Sequence, residues 1–308
     1  MDSDRLRLIL DTALDLVGLP LRGYVGGAAL AEATAALSPD TRAKCGIDEA
    51  RGAVVAALPY GEGPAEEPAW ARDWSGPRAG IAHFARANWY GELAARLKGA
   101  AASARADLAA AGAAQGPSRA WRYFVNSRLP EKRLALLAGL GRIGRNSLLM
   151  VEGAGPGSVL GLLLLPFDPS PEASEPASHE PGASCGSCRA CVEACPTGAL
   201  SPEGGFERQR CLQHWSTVEG RLPPGIEAAW GQRLYGCDAC LEACPAFKPT
   251  AAFATELGRL GSGLPVSWLA ASSDEEIRGR LAGSALGRGW IPPSALRRNA
   301  SLAARAAK

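Results

Sequence analysis

The chain has 308 residues, 47% of them hydrophobic and 21% charged, and 33 Lys and Arg against 31 Asp and Glu leave a net charge of +2. That length suffices for about two domains with a real core, no apolar run approaches a membrane span, and the charge is too balanced to point to nucleic acid through composition alone. The opening MDSDRLRLILDTALDLVG carries acids where an export signal needs a basic region and has no small-residue cleavage site, so a cytoplasmic location is expected.

From Asp4 to Leu16 apolar residues recur at helical spacing (Leu6, Ile9, Leu10, Ala13, Leu14) until Gly18 and Pro20 end the pattern, which predicts a first helix. Gly52 to Tyr60, GAVVAALPY, is a continuous apolar run bounded by Gly and Pro and reads as a buried strand. A long helical stretch covers Ala82 to Ala111, followed by a short apolar piece, Arg122 to Val125, and a helix-like segment, Leu129 to Gly139. Ser147–Val151 and Ser158–Phe167 read as two strands joined by the turn-rich EGAGPG. These elements predict an α+β protein with an α/β first domain over residues 1–170. Asp168 to Ser184, with four prolines among acids and serines, has linker composition. After Pro249 the chain returns to a helical pattern and becomes basic, with Arg297, Arg298, Arg305 and Lys308 and no acid from Arg288 onward.

Eight of the nine cysteines fall between Cys185 and Cys244. In a reducing compartment such crowding points to metal or redox chemistry rather than disulfides. CGSCRACVEACPTGAL sets Cys185, Cys188, Cys191 and Cys195 at the C-x2-C-x2-C-x3-C-P spacing of bacterial iron–sulfur sites. YGCDACLEACP offers Cys237, Cys240 and Cys244, the last three positions of the same pattern, and Cys211 supplies the missing thiol by count. With the fourth cysteine of each run crossing over, one [4Fe-4S] cluster takes Cys185, Cys188, Cys191 and Cys244 and the other takes Cys195, Cys211, Cys237 and Cys240. Two structural zinc sites are the alternative; the prolines after Cys195 and Cys244 and the near-duplication of the runs favour iron–sulfur. Cys45 has no partner at comparable spacing and reads as a small buried hydrophobe. GLGRIG, Gly139 to Gly144, formally fits a dinucleotide fingerprint, but it follows a helix and precedes strands, the reverse of the required context. A glycine-capped helix end is the simpler reading.

The order AGLGRIGRNSLL, a GS-x-x-LG strand, CGSCRACVEACPTGAL, Cys211 before STVEG, and LYGCDACLEACP resembles that of the epoxyqueuosine reductases. These are cobalamin-dependent iron–sulfur enzymes of tRNA modification, similar in architecture to reductive dehalogenases. The resemblance runs from about Ala82 to Ala300 and includes SALGRGWIPPSALRRNA. It implies an α/β corrinoid-binding domain over 1–170, a ferredoxin-like double [4Fe-4S] domain over 171–255 and a helical basic segment over 256–308. It further implies a corrinoid enclosed between the first two, reduced by a low-potential cluster, and reduction of epoxyqueuosine to queuosine in tRNA. An electron donor protein such as a ferredoxin or flavodoxin is implied as partner. Arg145, Asn146, Ser147 and Ser158 would lie in the corrinoid-binding region, where polar groups beside glycines suit a bulky amide-rimmed ring; ordinary turn polars are the alternative for each.

Three departures stand beside the resemblance. The family carries an aspartate, the presumed proton donor, in a V-D-[ST] segment, where this chain has Val125-Asn126-Ser127. An amide is no general acid at ordinary pH, which leaves Glu131 or a water for the proton. The family's D-Y-H stretch is Trp89-Tyr90-Gly91, and the carboxy-terminal helical repeats of many members do not follow Lys308. Together these favour a paralogue with a different, smaller substrate, although the basic stretch from Arg288 offers charge for tRNA phosphates. The competing expectation is a ferredoxin-like electron-transfer protein that serves a partner's cofactor.

Overall fold

The computed structural model describes residues 3–61, 66–114, 116–169, 182–248 and 255–307. Its strands among these are β1 (Arg22–Gly26), β2 (Gly52–Pro59), β3 (Arg78–Ile81), β4 (Tyr123–Val125), β5 (Gly141–Ile143), β6 (Leu149–Val151), β7 (Ser158–Leu165), β8 (Arg233–Tyr235) and β9 (Gly263–Pro265). The architecture is α+β, as the element pattern predicts.

The apolar run at 52–60 becomes β2, buried at every position, and the reason is visible in its alternation. Val54, Ala56 and Leu58 face one core with Leu10 and Leu14 of the first helix, Ser3–Leu16, and with Leu93 and Leu97 of the long helix Trp89–Ala110. Ala53, Val55 and Ala57 face another core with Leu30, Leu134 and Leu136. Successive residues of a strand point to opposite faces, so a strand covered on both sides must be apolar throughout. β2 pairs antiparallel with β7 from Gly52↔Leu165 to Pro59↔Ser158, and the sheet runs in the order β1-β2-β7-β4. Gly161 lets the long helix close on this sheet: a Cβ there would lie 2.9 Å from Leu93, Leu97 and Val125 side-chain atoms.

A second sheet, in the order β8-β3-β9, takes its strands from three distant parts of the chain. β3 runs parallel to β8 and antiparallel to β9. Ala79, Ile81, Leu234, Leu264, Trp268, Leu296 and Ala300 share one core, so packing joins residues on both sides of positions 170 and 255. The helix Pro293–Ala306 covers this sheet. Its Asn299, fully buried, donates to the carbonyls of Ser216 at 2.9 Å and Leu234 at 2.8 Å. The basic stretch engages several of its arginines in contacts within the chain. Arg298 binds the carbonyls of Trp215 and Gly220, Arg297 pairs with Asp274, and Arg305 pairs with Glu227.

Several elements differ from the sequence reading. The stretch expected as one helix from Ala82 opens instead with a 3-10 turn, His83–Ala85, just after β3, and the helix starts at Trp89 because the Asn88 side chain caps it, accepting from Gly91 N at 2.9 Å. The helix expected over Leu129–Gly139 spans Glu131–Leu137 and exits through Gly139 at φ 70°, with Leu140 N bonded to Ala135 O and Gly139 N to Leu136 O. That is the glycine-capped end read for GLGRIG. The strands flanking EGAGPG part company: β6 pairs with β5, while β7 enters the large sheet. Residues 170–181 of the expected linker lie outside the described residues. No helix among the described residues is long and apolar enough to cross a membrane.

Leu97, fully buried between sheet and helix, tests this packing. Leu97→Ala should cost about 2–5 kcal/mol of stability, seen as a lower urea midpoint by circular dichroism; an unchanged midpoint would refute the packing described.

Candidate metal centre

Each cysteine run ends the same way. Cys191 and Cys240 lie on single-turn helices, Ala190–Glu193 and Ala239–Glu242, and the chain then folds back so that Cys195 N bonds Val192 O and Cys244 N bonds Leu241 O. The two helices pack against each other. This interleaves the runs, and the thiols fall into two electrostatic groups. Burial pushes the Cys191 thiol up, and the neighbours that add to the effect are Cys185, Cys244 and Cys188. Burial pushes Cys240 up to about 12, reinforced by Cys237, Cys211 and Cys195 and, least, by Cys191. Burial likewise raises Cys211, with Cys237 and Cys195 adding to it. Burial of Cys195 works in the same direction but is outweighed by the N–H groups of Thr197 and Ala199, the latter 3.2 Å from Sγ, and its pKa is lowered.

Thiols crowded in this way resist ionisation until a cation joins them, and thiolate is the form that binds metal. Two groups of four sulfur donors therefore suit two polynuclear iron–sulfur centres, as the donor chemistry requires. The groups differ in access. Cys188 is exposed, with its neighbours Gly186, Ser187 and Arg189. Cys195, Cys211, Cys237 and Cys240 instead line an inner cavity of about 220 Å³.

The other sequence-derived residues are distributed around these groups. Asn146, buried, accepts from Leu148 N at 3.1 Å and lines the inner cavity beside Ser147. Ser147 has φ 62° and its carbonyl accepts from Lys132 Nζ at 3.0 Å, a lysine whose pKa burial lowers. Arg145 is turned to the first run instead. Its backbone N–H meets Cys185 Sγ at 3.4 Å, and its guanidinium holds the carbonyls of Gly186, at 3.0 Å, and Cys188. Ser158 opens β7, its buried hydroxyl without a partner among the described residues. Cys45 is half-buried beside the core that includes Leu30, Ile47 and Val55, in keeping with its reading as a small hydrophobe.

Asn126, at φ 51°, lines a second, more open cavity of about 420 Å³ with Tyr90, His214, Tyr235, Arg288 and Trp290. Cys211 and Gln213 line both cavities, so Cys211 stands between the second thiol group and the open recess. Glu131 lies behind Asn126 and accepts from the N–H and hydroxyl of Ser127 at 2.8 and 2.9 Å; burial raises its carboxyl. Burial also holds the Tyr90 phenol well above its ordinary range and pushes Tyr235 up to about 12. Sequence reading noted Arg288 only as the start of a basic stretch and passed over Tyr235 and Trp290, which no motif spacing marks, and over His83 and Asp238. Asp238 sits inside the C-D-A-C run, where only the thiols drew attention; burial raises its carboxyl against the pull of His83 N–H.

Residues 184–246 match the 4Fe-4S double cluster binding domain family. Over the whole fold, the epoxyqueuosine reductase of Bacillus subtilis superposes with a TM-score of 0.73 at 22% identity, covering 98% of this chain and 82% of that one; its catalytic aspartate loop is swung out of the active site. This chain has the epoxyqueuosine reductase fold. A second such reductase, solved with an epoxyqueuosine-modified tRNA-Tyr stem loop, gives a TM-score of 0.72 at 22% identity over 98% of this chain and 81% of that one. In sequence, the chain is 28% identical over 221 residues to the epoxyqueuosine reductase of Staphylococcus aureus, covering 67% of this chain and 50% of that protein. It is 36% identical over 203 residues to the Synechococcus sp. epoxyqueuosine reductase, covering 61% and 59%. The chain thus spans about half the length of the curated reductases it matches.

Thiol chemistry checks the electrostatics. In metal-free protein at pH 8, alkylation followed by mass spectrometry should label Cys195, whose thiol ionises below the ordinary range, well before Cys240, which stays protonated until about 12. Equal rates would contradict the arrangement.

Proposed function

We propose that the chain is an iron–sulfur, corrinoid-dependent reductase of the epoxyqueuosine reductase kind. In this reading Cys185, Cys188, Cys191 and Cys244 hold one [4Fe-4S] cluster, and Cys195, Cys211, Cys237 and Cys240 hold the other. The observation that carries it is the position of Cys211, which joins the second thiol group to an open recess lined by Asn126, Tyr90 and Tyr235. An electron received at the exposed Cys188 side passes inward through adjacent groups to the wall of that recess. A ferredoxin or flavodoxin is the class of protein that supplies it.

The recess also fits a corrinoid in its donor chemistry. Gln213 lines both cavities, and its Oε1 is buried without a hydrogen-bond partner among the described residues. An amide-rimmed ring presents the N–H groups such an acceptor lacks. Gln213, Asn126 and the Asn146–Ser147 turn would hold the ring edge. The corrinoid, when bound, supplies low-potential cobalt chemistry. Arg145 serves the first cluster in this reading, since its charge and N–H are committed to that loop. Residues 171–255 carry the ligands of both clusters.

Removing an epoxide oxygen to leave an alkene consumes two electrons and two protons and releases water. Asn126 has no proton to give. Tyr90 and Tyr235, kept protonated by burial, hold protons at the recess wall, and Glu131 stands behind Tyr90 as a carboxyl of raised pKa. The substrate is the epoxyqueuosine of a tRNA anticodon stem loop or a smaller epoxide. Trp290 and Arg288 at the recess mouth offer a stacking face and a cation to either. Asn126 keeps a second reading in play, in which the chain delivers electrons to a partner's cofactor; bound corrinoid separates the two.

The test is anaerobic reconstitution with iron, sulfide and cobalamin, followed by iron analysis and electron paramagnetic resonance. About eight irons per chain with a base-off Co(II) signal supports the reductase, and eight irons without corrinoid supports the electron carrier. Cys188→Ser should lose about four irons; full iron content in that variant would overturn the ligand assignment. Tyr90→Phe should lower turnover of epoxyqueuosine-tRNA by about a hundredfold with iron and corrinoid content unchanged, and unimpaired turnover would remove Tyr90 as the proton source.

A further inference from the structure

One cluster of ligating side chains has no part in the cysteine sites. His83, which opens the 3-10 turn after β3, meets Asp238 and Glu242 of the second cysteine run. His83 Nε2 lies 3.2 Å from Glu242 Oε1 and 3.9 Å from Asp238 Oδ2. One donor atom from each of the three lies within 4.8 Å of the others. A divalent transition ion about 2.1 Å from each donor holds neighbouring ligands about 3 to 3.5 Å apart, so the three atoms need only small movements to share one.

The surroundings are those of a built site. The Asp238 carboxylate is fixed by His83 N, which donates to Oδ2 at 2.7 Å. The imidazole is 8% exposed and stands edge-on to Phe247 at 5.6 Å, which fixes its plane. Glu242 is 59% exposed and free to swing onto an ion arriving from solvent. A polar recess of about 530 Å³, lined by Arg86, Gln232 and Ser262, opens beside both carboxylates and has room for water ligands. One imidazole and two carboxylates are the donors chosen by Mn²⁺, Fe²⁺ and Zn²⁺ rather than by Mg²⁺ or Ca²⁺, which prefer oxygen throughout.

We propose that His83, Asp238 and Glu242 form a third metal site, for one divalent transition ion, that ties the His83–Ala85 turn to the helix carrying Cys240. The site goes beyond the reductase reading and stands whether or not that reading holds. Because its ligands come from segments that meet only in the folded chain, the ion stabilises the docked second cysteine run by mass action.

Mn²⁺ is the probe, since it shuns thiolate and so avoids the cluster cysteines. Titrated into anaerobically cluster-loaded protein, with free Mn²⁺ followed by its six-line paramagnetic signal, it should bind one ion per chain. Glu242→Ala should weaken that site at least about tenfold. His83→Arg should abolish it, because guanidinium still pairs with both carboxylates but cannot ligate. Iron and sulfide content should stay unchanged in both variants, which separates this site from the clusters. No binding of Mn²⁺ or Zn²⁺ by loaded protein up to millimolar concentration, or unaltered affinity in Glu242→Ala, would overturn the proposal, leaving an ion-paired histidine. Should His83→Arg not fold, the exposed Glu242 decides alone.

Discussion

Thiolates packed side by side repel, and the rest of this structure is organised around making that repulsion useful. Burial and mutual proximity drive the Cys240 thiol to about 12, far from the form that ligates metal. Only a positively charged core placed among the sulfurs reverses the balance. The surrounding fold must then hold the cysteine loops in place while they are unfavourable on their own. It does so with backbone hydrogen bonds at each one-turn helix, with Arg145 clamping the first loop, and with the β8-β3-β9 sheet immediately before the second.

The two thiol groups are unequal in a way that gives the molecule a direction. One includes the exposed Cys188, beside an arginine committed to loop carbonyls; the other lines a cavity and backs onto a recess of aromatic, amide and cationic side chains. In the proposed reductase, electrons enter at the group with the exposed cysteine and leave at the wall of the recess.

What sequence revealed and what it hid follow from the range of the interactions. The run at 52–60 was legible because a strand covered on both faces must be apolar at every position. The cysteine runs were legible because a cluster fixes ligand spacing locally. β3, β8 and β9 were not, since strands of three or four residues carry little periodicity and exist here through partners far along the chain. The same holds for Arg145. Its place beside glycines suggested one cofactor, and its contacts with Gly186 and Cys188 serve another loop, a pairing that depends on tertiary approach alone. His83 was invisible for that reason too, its partners lying in a segment read only for its sulfurs.

The short sheet also sets the order in which the protein can be made. β3 emerges early in synthesis but finds both its neighbours only after β8 and β9 have followed, and Asn299 supplies its two buried hydrogen bonds to the cysteine region later still. Contacts of such long range close slowly, because the loop entropy is lost before they repay it. On the ribosome the cysteine loops are therefore tethered at one side only until the Pro293–Ala306 helix is released. Iron is best inserted once the Pro293–Ala306 helix has docked, and whatever delivers it meets cysteine loops already held from both sides.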